Sequence, residues 1–275
     1  MSEENGLGEA MKEKTIVSLI LTSYNCKDNI SRTLKSIEMQ DYPFIEVVIA
    51  DGGSTDGTVE VIKEFEEQTK FSCKWRSEKD AGLYDAMNKG FRMSGGDIIA
   101  FFNDLFLVPD AVSLMVGSIK SGKFDGAHAD LIYATDDEVK RYWRMGNGEI
   151  RKGWMPGHPT LYLKREVYEK YGLYKTDYKC SADYEFMVRI LKDKQVRLAY
   201  VPVTIIRMYY GGTSTESAGS YIVSLREGHK ALRENGIKNA WWIDFCRTGR
   251  VIFQFLKAGT YQGSKNETAE QDPVS

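Results

Sequence analysis

The 275-residue sequence has only four cysteines, Cys26, Cys73, Cys180 and Cys246, scattered along the chain with no C-x-x-C pair. That scatter excludes a zinc ribbon and a disulfide framework, and it fits a reducing cytosol. The chain also lacks a charge excess, with 37 Lys+Arg against 39 Asp+Glu. No global basic field exists to hold nucleic acid, so no nucleic-acid partner is expected and anionic ligands must be handled locally. Long hydrophobic runs are missing as well. Ile16–Leu21 and Ile98–Phe102 fall far short of a bilayer span and read as buried strands. Met1 to Lys14 is polar and acidic with no signal-peptide-like apolar stretch, which gives the expectation of a cytoplasmic protein. No G-x-G-x-x-G follows the first strand, and the nearest approach to a phosphate loop, Gly117 to Gly122-Lys123, runs into Phe124 rather than Ser or Thr. Dinucleotide and P-loop binding are thereby excluded.

What is present is a chain with 42% hydrophobic and 28% charged residues, enough for a substantial core. From Thr15 onward, strand-like runs alternate with segments of helical periodicity, the pattern of an α/β protein with a mostly parallel central sheet. Strands are expected at Thr15–Thr22, Ile45–Ala50, Phe71–Arg76 and Asp97–Phe102. Helices are expected at Asp28–Met39, capped from Asn25–Asp28, then after Gly57, over Ala81–Met93 and over Pro109–Ile119. Paired strands Gly126–Tyr133 and Val139–Trp143 follow, turned at Asp136-Asp137. Next come Leu161–Leu163, a helix over Ala182–Leu191 and a strand over Val196–Val203. Thr204–Gly219 reads as a loop rich in Tyr, Gly and Ser. The expected organisation is a flexible segment at 1–14, a catalytic domain at 15–210, a helical segment at 211–258 and a disordered polar tail at 259–275.

In open α/β sheets, ligands bind beyond the carboxyl ends of the strands. Thr22-Ser23-Tyr24-Asn25, Asp51-Gly52-Gly53-Ser54 and Asn103-Asp104 should therefore meet in space. The set suits a nucleotide: Thr22, Tyr24, Asn25 and Asp51 can bind it, with Tyr24 a stacking face and Asp51 an acceptor. Equally, Asp51-Gly52-Gly53 can be a strand-to-helix turn capped by Ser54 or Asp56.

Ser18–Asn25 with Tyr42-Pro43, Ile45–Thr58 (IEVVIADGGSTDGT) and Glu78–Gly90 (EKDAGLYDAMNKG) resemble the family 2 glycosyltransferases. The resemblance covers roughly residues 15 to 210. Asp130–Trp143, Pro156–Gly172 and Cys180–Leu191 (CSADYEFMVRIL) are similar to the subgroup that builds bacterial capsule, exopolysaccharide and lipopolysaccharide. It implies a GT-A fold, an inverting mechanism, a nucleotide-sugar donor, a glycan or lipid-linked acceptor, and Mn2+ or Mg2+.

An inverting displacement needs a carboxylate to take the acceptor proton and a cation for the departing diphosphate. Asp183, in Ser181-Ala182-Asp183-Tyr184-Glu185, matches the family's catalytic aspartate; its bland role is a first-turn charge with Ser181 as cap. For the metal, the resemblance implies a D-x-D-like stretch after the fourth strand. This chain has Asn103-Asp104 instead, one residue shorter and one aspartate poorer, leaving Asp104 as ligand with Asn103 assisting, or merely a cap on the strand. Asp80, Gly82, Asp85, Asn88 and Lys89 are expected on the sugar and diphosphate side, the last three on one helix face. His158 can face the acceptor or the diphosphate or be a structural hydrogen-bonder, and Trp154, Tyr209 and Tyr210 can stack on sugars or pack. The stretch from Trp241 to Lys257 mixes aromatic and basic residues, reading as an interfacial amphipathic helix or as a packing helix. Two other classes compete with this reading. A non-catalytic nucleotide-sugar binder would suit the degenerate metal motif, whereas a nucleotidyltransferase would need a glycine-rich basic loop that Thr22–Lys27 does not supply.

Overall fold

Val17–Ser23 (β1) and Ile45–Asp51 (β2) are Val-, Ile- and Leu-rich and buried along nearly their whole length, as strands covered on both faces must be. In the computed structural model, which describes residues 14–209, 218–256 and 258–261, they pair in parallel from Val17↔Ile45 to Ser23↔Asp51. Ser72–Ser77 (β3) and Ile98–Phe101 (β4) extend the parallel set on either side. Lys27–Glu38 (α1), Thr58–Gln68 (α2) and Leu83–Met93 (α3) are the crossovers.

The second half contributes Leu105–Phe106 (β5), Ala111–Ser121 (α4), Gly126–Ala134 (β6), Val139–Trp143 (β7), Tyr162–Lys164 (β8), Arg165–Tyr171 (α5), Ala182–Leu191 (α6), Leu198–Tyr209 (β9), Ala218–Glu234 (α7) and Ala240–Leu256 (α8). Among the described residues the sheet order is β3-β2-β1-β4-β8-β6-β9-β5, with β7 on β6. The α/β architecture is as expected, but the parallel arrangement holds throughout only for β1–β4. β8 is antiparallel to both neighbours, and β5 and β7 are antiparallel to theirs. A short turn such as Asp136-Asp137 can only return a strand antiparallel, whereas a parallel return needs a crossover.

Side chains alternate across the sheet. Leu19, Val47, Ile49, Phe102 and Met115 form a core with α1, α2 and α4 on one face. Ile20, Val48, Phe91, Tyr168, Phe186 and Leu232 form a second with α3 and α5–α8 on the other. α3 lies so close to β1 that a Cβ at Gly90 would come 2.4 Å from Ile20 Cγ2.

Several expectations are corrected. α1 is not capped by its own Asn25–Asp28 segment: the Cys26 and Lys27 N–H groups donate to Thr58 Oγ1 (3.0 Å) and Asp56 Oδ2 (3.1 Å) across the neighbouring loop. The strand expected to stop at Val203 runs to Tyr209, because pairing with β6 and β5 continues. Tyr210 and the rest of that loop, residues 1–13 and the tail beyond Tyr261 lie outside the described residues. Ala231, Leu232, Ala240 and Ile243 enter the second core, so α7 and α8 pack against the same body as α3, α5 and α6.

α8 is amphipathic with its apolar side outward. Trp241, Trp242, Phe245, Ile252, Phe253 and Leu256 are exposed, Trp241 to 79%, and fall on one side at helical spacing. Its polar side grips the body: Arg250 Nε donates to the Lys152 carbonyl (3.1 Å), Gln254 Oε1 accepts from Arg141 Nε (2.6 Å), and the Arg247 guanidinium lies 4.4 Å from the Tyr184 ring centroid.

Candidate active site

The parallel strands deliver three loops to one edge of the sheet, and their polar groups are largely spent on one another. The Thr22 N–H donates to Asn103 Oδ1 (2.9 Å), and Asn103 Nδ2 donates to Thr22 Oγ1 (2.8 Å). Asn25 sits in the left-handed region at φ 46°; its N–H donates to Ser54 Oγ (2.8 Å) and its side-chain oxygen accepts from the Thr55 N–H (2.9 Å). Asp51 accepts from the Ser23, Ser54 and Ser77 hydroxyls and from the Gly53 and Ser54 N–H groups, at 2.5–3.0 Å. Burial raises its pKa, but those hydrogen bonds outweigh burial and hold the carboxyl below its usual range.

Tyr24 stands 66% exposed beside Gly52 and Asp80. A Cβ at Gly52 would lie 2.7 Å from Asp80 Oδ2 and 3.2 Å from the Tyr24 ring, so the missing side chain is what admits Asp80. Asp80 Oδ1 accepts from the N–H of Gly82, which begins α3 at φ 120°. Asp51, Arg76, Glu78, Asp80 and Lys89 line a hollow of about 260 Å³. The face expected to join Asp85, Asn88 and Lys89 does not hold. Asn88 is buried and pairs twice with the Tyr174 backbone (2.8 and 3.1 Å), removing it from any donor surface. Asp85 accepts from the Ala81 N–H (3.0 Å) and lies 3.4 Å from Lys89 Nζ.

Asn103, Asp104, His158 and Asp183 share a second, larger cleft of about 750 Å³, walled also by Tyr84 and Arg247. Asp183 projects from the first turn of α6, and its Oδ1 accepts from the Tyr84 hydroxyl (3.1 Å). Burial, then the Asp183 charge, push the Tyr84 phenol far up, so it stays a donor. Ser181 precedes α6 without a side-chain cap bond; its hydroxyl turns to Ser224. His158 Nε2 pairs with the Tyr174 hydroxyl (2.8 Å). Burial holds this imidazole below its usual range, with Asp183 opposing. Asp104 accepts no hydrogen bond from the described residues, and desolvation pushes its carboxyl up to about 7. Trp154 is buried with its indole N–H on the Met145 carbonyl (3.0 Å), a packing role, whereas Tyr209 is exposed at the end of β9. Among the described residues no group of three His, Cys, Asp or Glu could hold a metal. Sequence reasoning passed over Tyr84 and Arg247 as groups of the site. Tyr84 lies inside a quoted motif, where an aromatic carries no chemistry until its neighbours are known.

A profile described as Glycosyl transferase family 2 matches residues 18–183. An uncharacterized glycosyltransferase of Mycobacterium tuberculosis is 32% identical over 206 residues, covering 71% of this chain and 74% of that protein. In structure, the chain is similar to a mannosyltransferase of Pyrobaculum calidifontis in complex with GDP-Man and Mn2+. That match has TM-score 0.64 and 18% identity, covering 94% of this chain and 79% of that one. It is also similar to S. aureus TarS in complex with UDP-GlcNAc, at TM-score 0.65 and 14% identity, covering 88% and 72%. At such identities the structural likeness establishes the GT-A fold.

Proposed function

The chain belongs to glycosyl transferase family 2 and is a glycosyltransferase; on that premise we propose an inverting transfer from a nucleoside-diphosphate sugar to an acceptor hydroxyl, with Asp183 as base. The observation that carries this reading is the shared cleft, in which Asp183 and Asp104 are the aspartates with acceptor capacity left. The acceptor O–H gives its proton to the Asp183 carboxylate. Its oxygen bonds to the anomeric carbon while the bond from that carbon to the diphosphate oxygen breaks, and the electron pair leaves on the nucleoside diphosphate. The Tyr84 hydroxyl holds one carboxylate oxygen and leaves the other for the incoming proton. Nothing observed favours the non-catalytic alternative.

Tyr24, Asp80, Gly82, Asp85 and Lys89 frame the donor side, with Thr22, Asn25 and Asp51 shaping its loops. Asp104 fits a divalent cation only in part. Asn103 already spends its carbonyl oxygen on Thr22, so one hard carboxylate remains. Such ions are often held by one or two carboxylates plus substrate phosphates. Asp104 therefore suits Mn2+ or Mg2+ carried with the donor, and the bound ion would neutralise charge on the diphosphate.

For the setting we propose cell-surface polysaccharide synthesis on the cytoplasmic side of the membrane, with a lipid-linked acceptor. No helix of the described residues is long and apolar enough to cross a bilayer. The outward face of α8 supplies apolar depth at an interface, and the inner side of the same helix walls the cleft. The test is a thermal-shift panel of UDP-, GDP- and dTDP-sugars with and without Mn2+. One donor at 100 times its Kd should stabilise the fold by about 2.7 kcal/mol, and more with Mn2+. No response to any donor would sink the reading.

A further inference from the structure

Glu227 lies on α7, outside residues 18–183 that match the family. Its Oε1 accepts from the Lys179 N–H (2.7 Å), and its Oε2 accepts from the Cys180 and Ser181 N–H groups (both 3.0 Å). One turn earlier on α7, Ser224 Oγ accepts from the Ser181 hydroxyl (3.3 Å). Residues 179–181 are the run that enters α6, and Asp183 stands in the first turn just beyond. No α6 side chain caps that end. The N–H groups leading into it are taken by a carboxylate from a different helix, a charge-assisted arrangement that the helix dipole also favours. The first turn of α6 is tied from the same direction a second time, since Asn235, after α7, donates to the buried Glu185 (3.1 Å).

We propose that Glu227 is a positioning residue for the transfer, holding residues 179–181 so that Asp183 meets the acceptor hydroxyl. Tyr84 on α3 fixes the Asp183 carboxylate from one side, and α7 fixes the backbone leading up to it from the other. Glu227 acts from behind, because Cys180 and Ser181, not Glu227, line the cleft. The inference rests on the reading of Asp183 as the base.

The experiment measures kcat and donor KM for Glu227→Gln, Glu227→Ala, Asp183→Asn and the Asp183→Asn/Glu227→Gln double variant of the full chain. The probe is the donor selected by the thermal-shift panel, with water as acceptor, read as release of nucleoside diphosphate. Misplacing a reacting group by about 1 Å can cost roughly 10²-fold, so Glu227→Ala should lose kcat on that scale. Glu227→Gln, which keeps one acceptor oxygen, should lose less. In both, donor KM should stay within about twofold of wild type. The double variant should be no slower than Asp183→Asn alone, because a misplaced base and an absent one cost the same step. Wild-type kcat in Glu227→Gln, equal losses in kcat and donor affinity, or a further loss in the double variant would each overturn the proposal. If Glu227→Ala does not fold, the isosteric Gln variant decides. Near wild-type turnover in Asp183→Asn would instead remove the base assignment beneath it, which makes the two failures distinguishable.

Discussion

The loops after β1 and β2 and the wall formed by β4, α6 and α8 face the same edge of the sheet but use their polar groups in opposite ways. In the loops the groups are spent: Asp51 accepts five hydrogen bonds and Asn25 ties two loops together. In the wall, Asp183 accepts one and Asp104 none from the described residues. α8 leaves an apolar side exposed. A carboxylate whose lone pairs are filled holds a loop in shape, and one with free lone pairs can take a proton or a cation. The residues most visible as motif and the residues fit for chemistry are therefore partly different sets.

The contrast can be broken most directly at Asp183. Asp183→Asn should lower turnover by about 10²-fold or more while thermal stability and donor binding stay near wild type; kinetics beside a melting curve check it. Asp51→Ala should do the reverse. It strands three hydroxyls and two N–H groups in a partly buried loop, where an unsatisfied group that water does not reach costs about 1–3 kcal/mol. A loss of at least about 2 kcal/mol, roughly 4–8 °C in Tm, is expected. Because the folded pKa of Asp51 is depressed, its contribution is present above the unfolded carboxylate range and disappears as pH falls through the folded value. The wild-type advantage over Asp51→Ala should therefore shrink in acid. Equal melting curves would place Asp51 with the open groups.

A third test sharpens the contrast at α8. Phe245→Glu should weaken co-sedimentation with phosphatidylcholine/phosphatidylglycerol vesicles about tenfold, since burying such a side chain is worth about 1.5–3 kcal/mol. Salt should matter less than apolar contact, because Arg247 packs on Tyr184 and Arg250 donates to the Lys152 carbonyl, so neither lies on the apolar face. Removal of Trp241 to Ser275 should cost the fold itself, as Ile243 sits in the second core and Arg247 packs on Tyr184. Wild-type binding by Phe245→Glu would end the membrane assignment.

The smallest effect belongs to Asp104. Its folded pKa is raised to about 7, so its contribution is full below the unfolded carboxylate pKa and is lost as pH rises through about 7. Asp104→Asn should gain stability over wild type across that window, by a few degrees in Tm. The same variant should erase any Mn2+-dependent gain in donor binding, whereas Asn103→Ala, whose amide serves Thr22, should lower it less. A flat pH difference would show that Asp104 is solvated and paired.

The β-branched runs, helical periodicities and order of the blocks determined, from sequence alone, the α/β class, the parallel first half and the edge at which the site lies. The resemblance to the family, not the periodicity, singled out Asp183 and Asp104 as the candidates for chemistry, and the structure puts both in one cleft. Which polar groups remained free was decided only in three dimensions. Asn88 shares helical spacing with Asp85 and Lys89, yet it is consumed by the Tyr174 backbone 86 residues away. Asp80 finds its place because Gly52 has no side chain, and α6 is held at its head by Glu227 from beyond the matched region. Even the direction of α8 escapes the pattern, since an apolar stripe is the same whether it faces core or solvent. Periodicity records which residues share a face, because that follows from local backbone geometry. What each face meets depends on contacts between residues far apart in the chain, and those contacts fill or spare the hydrogen-bonding valences on which the chemistry depends.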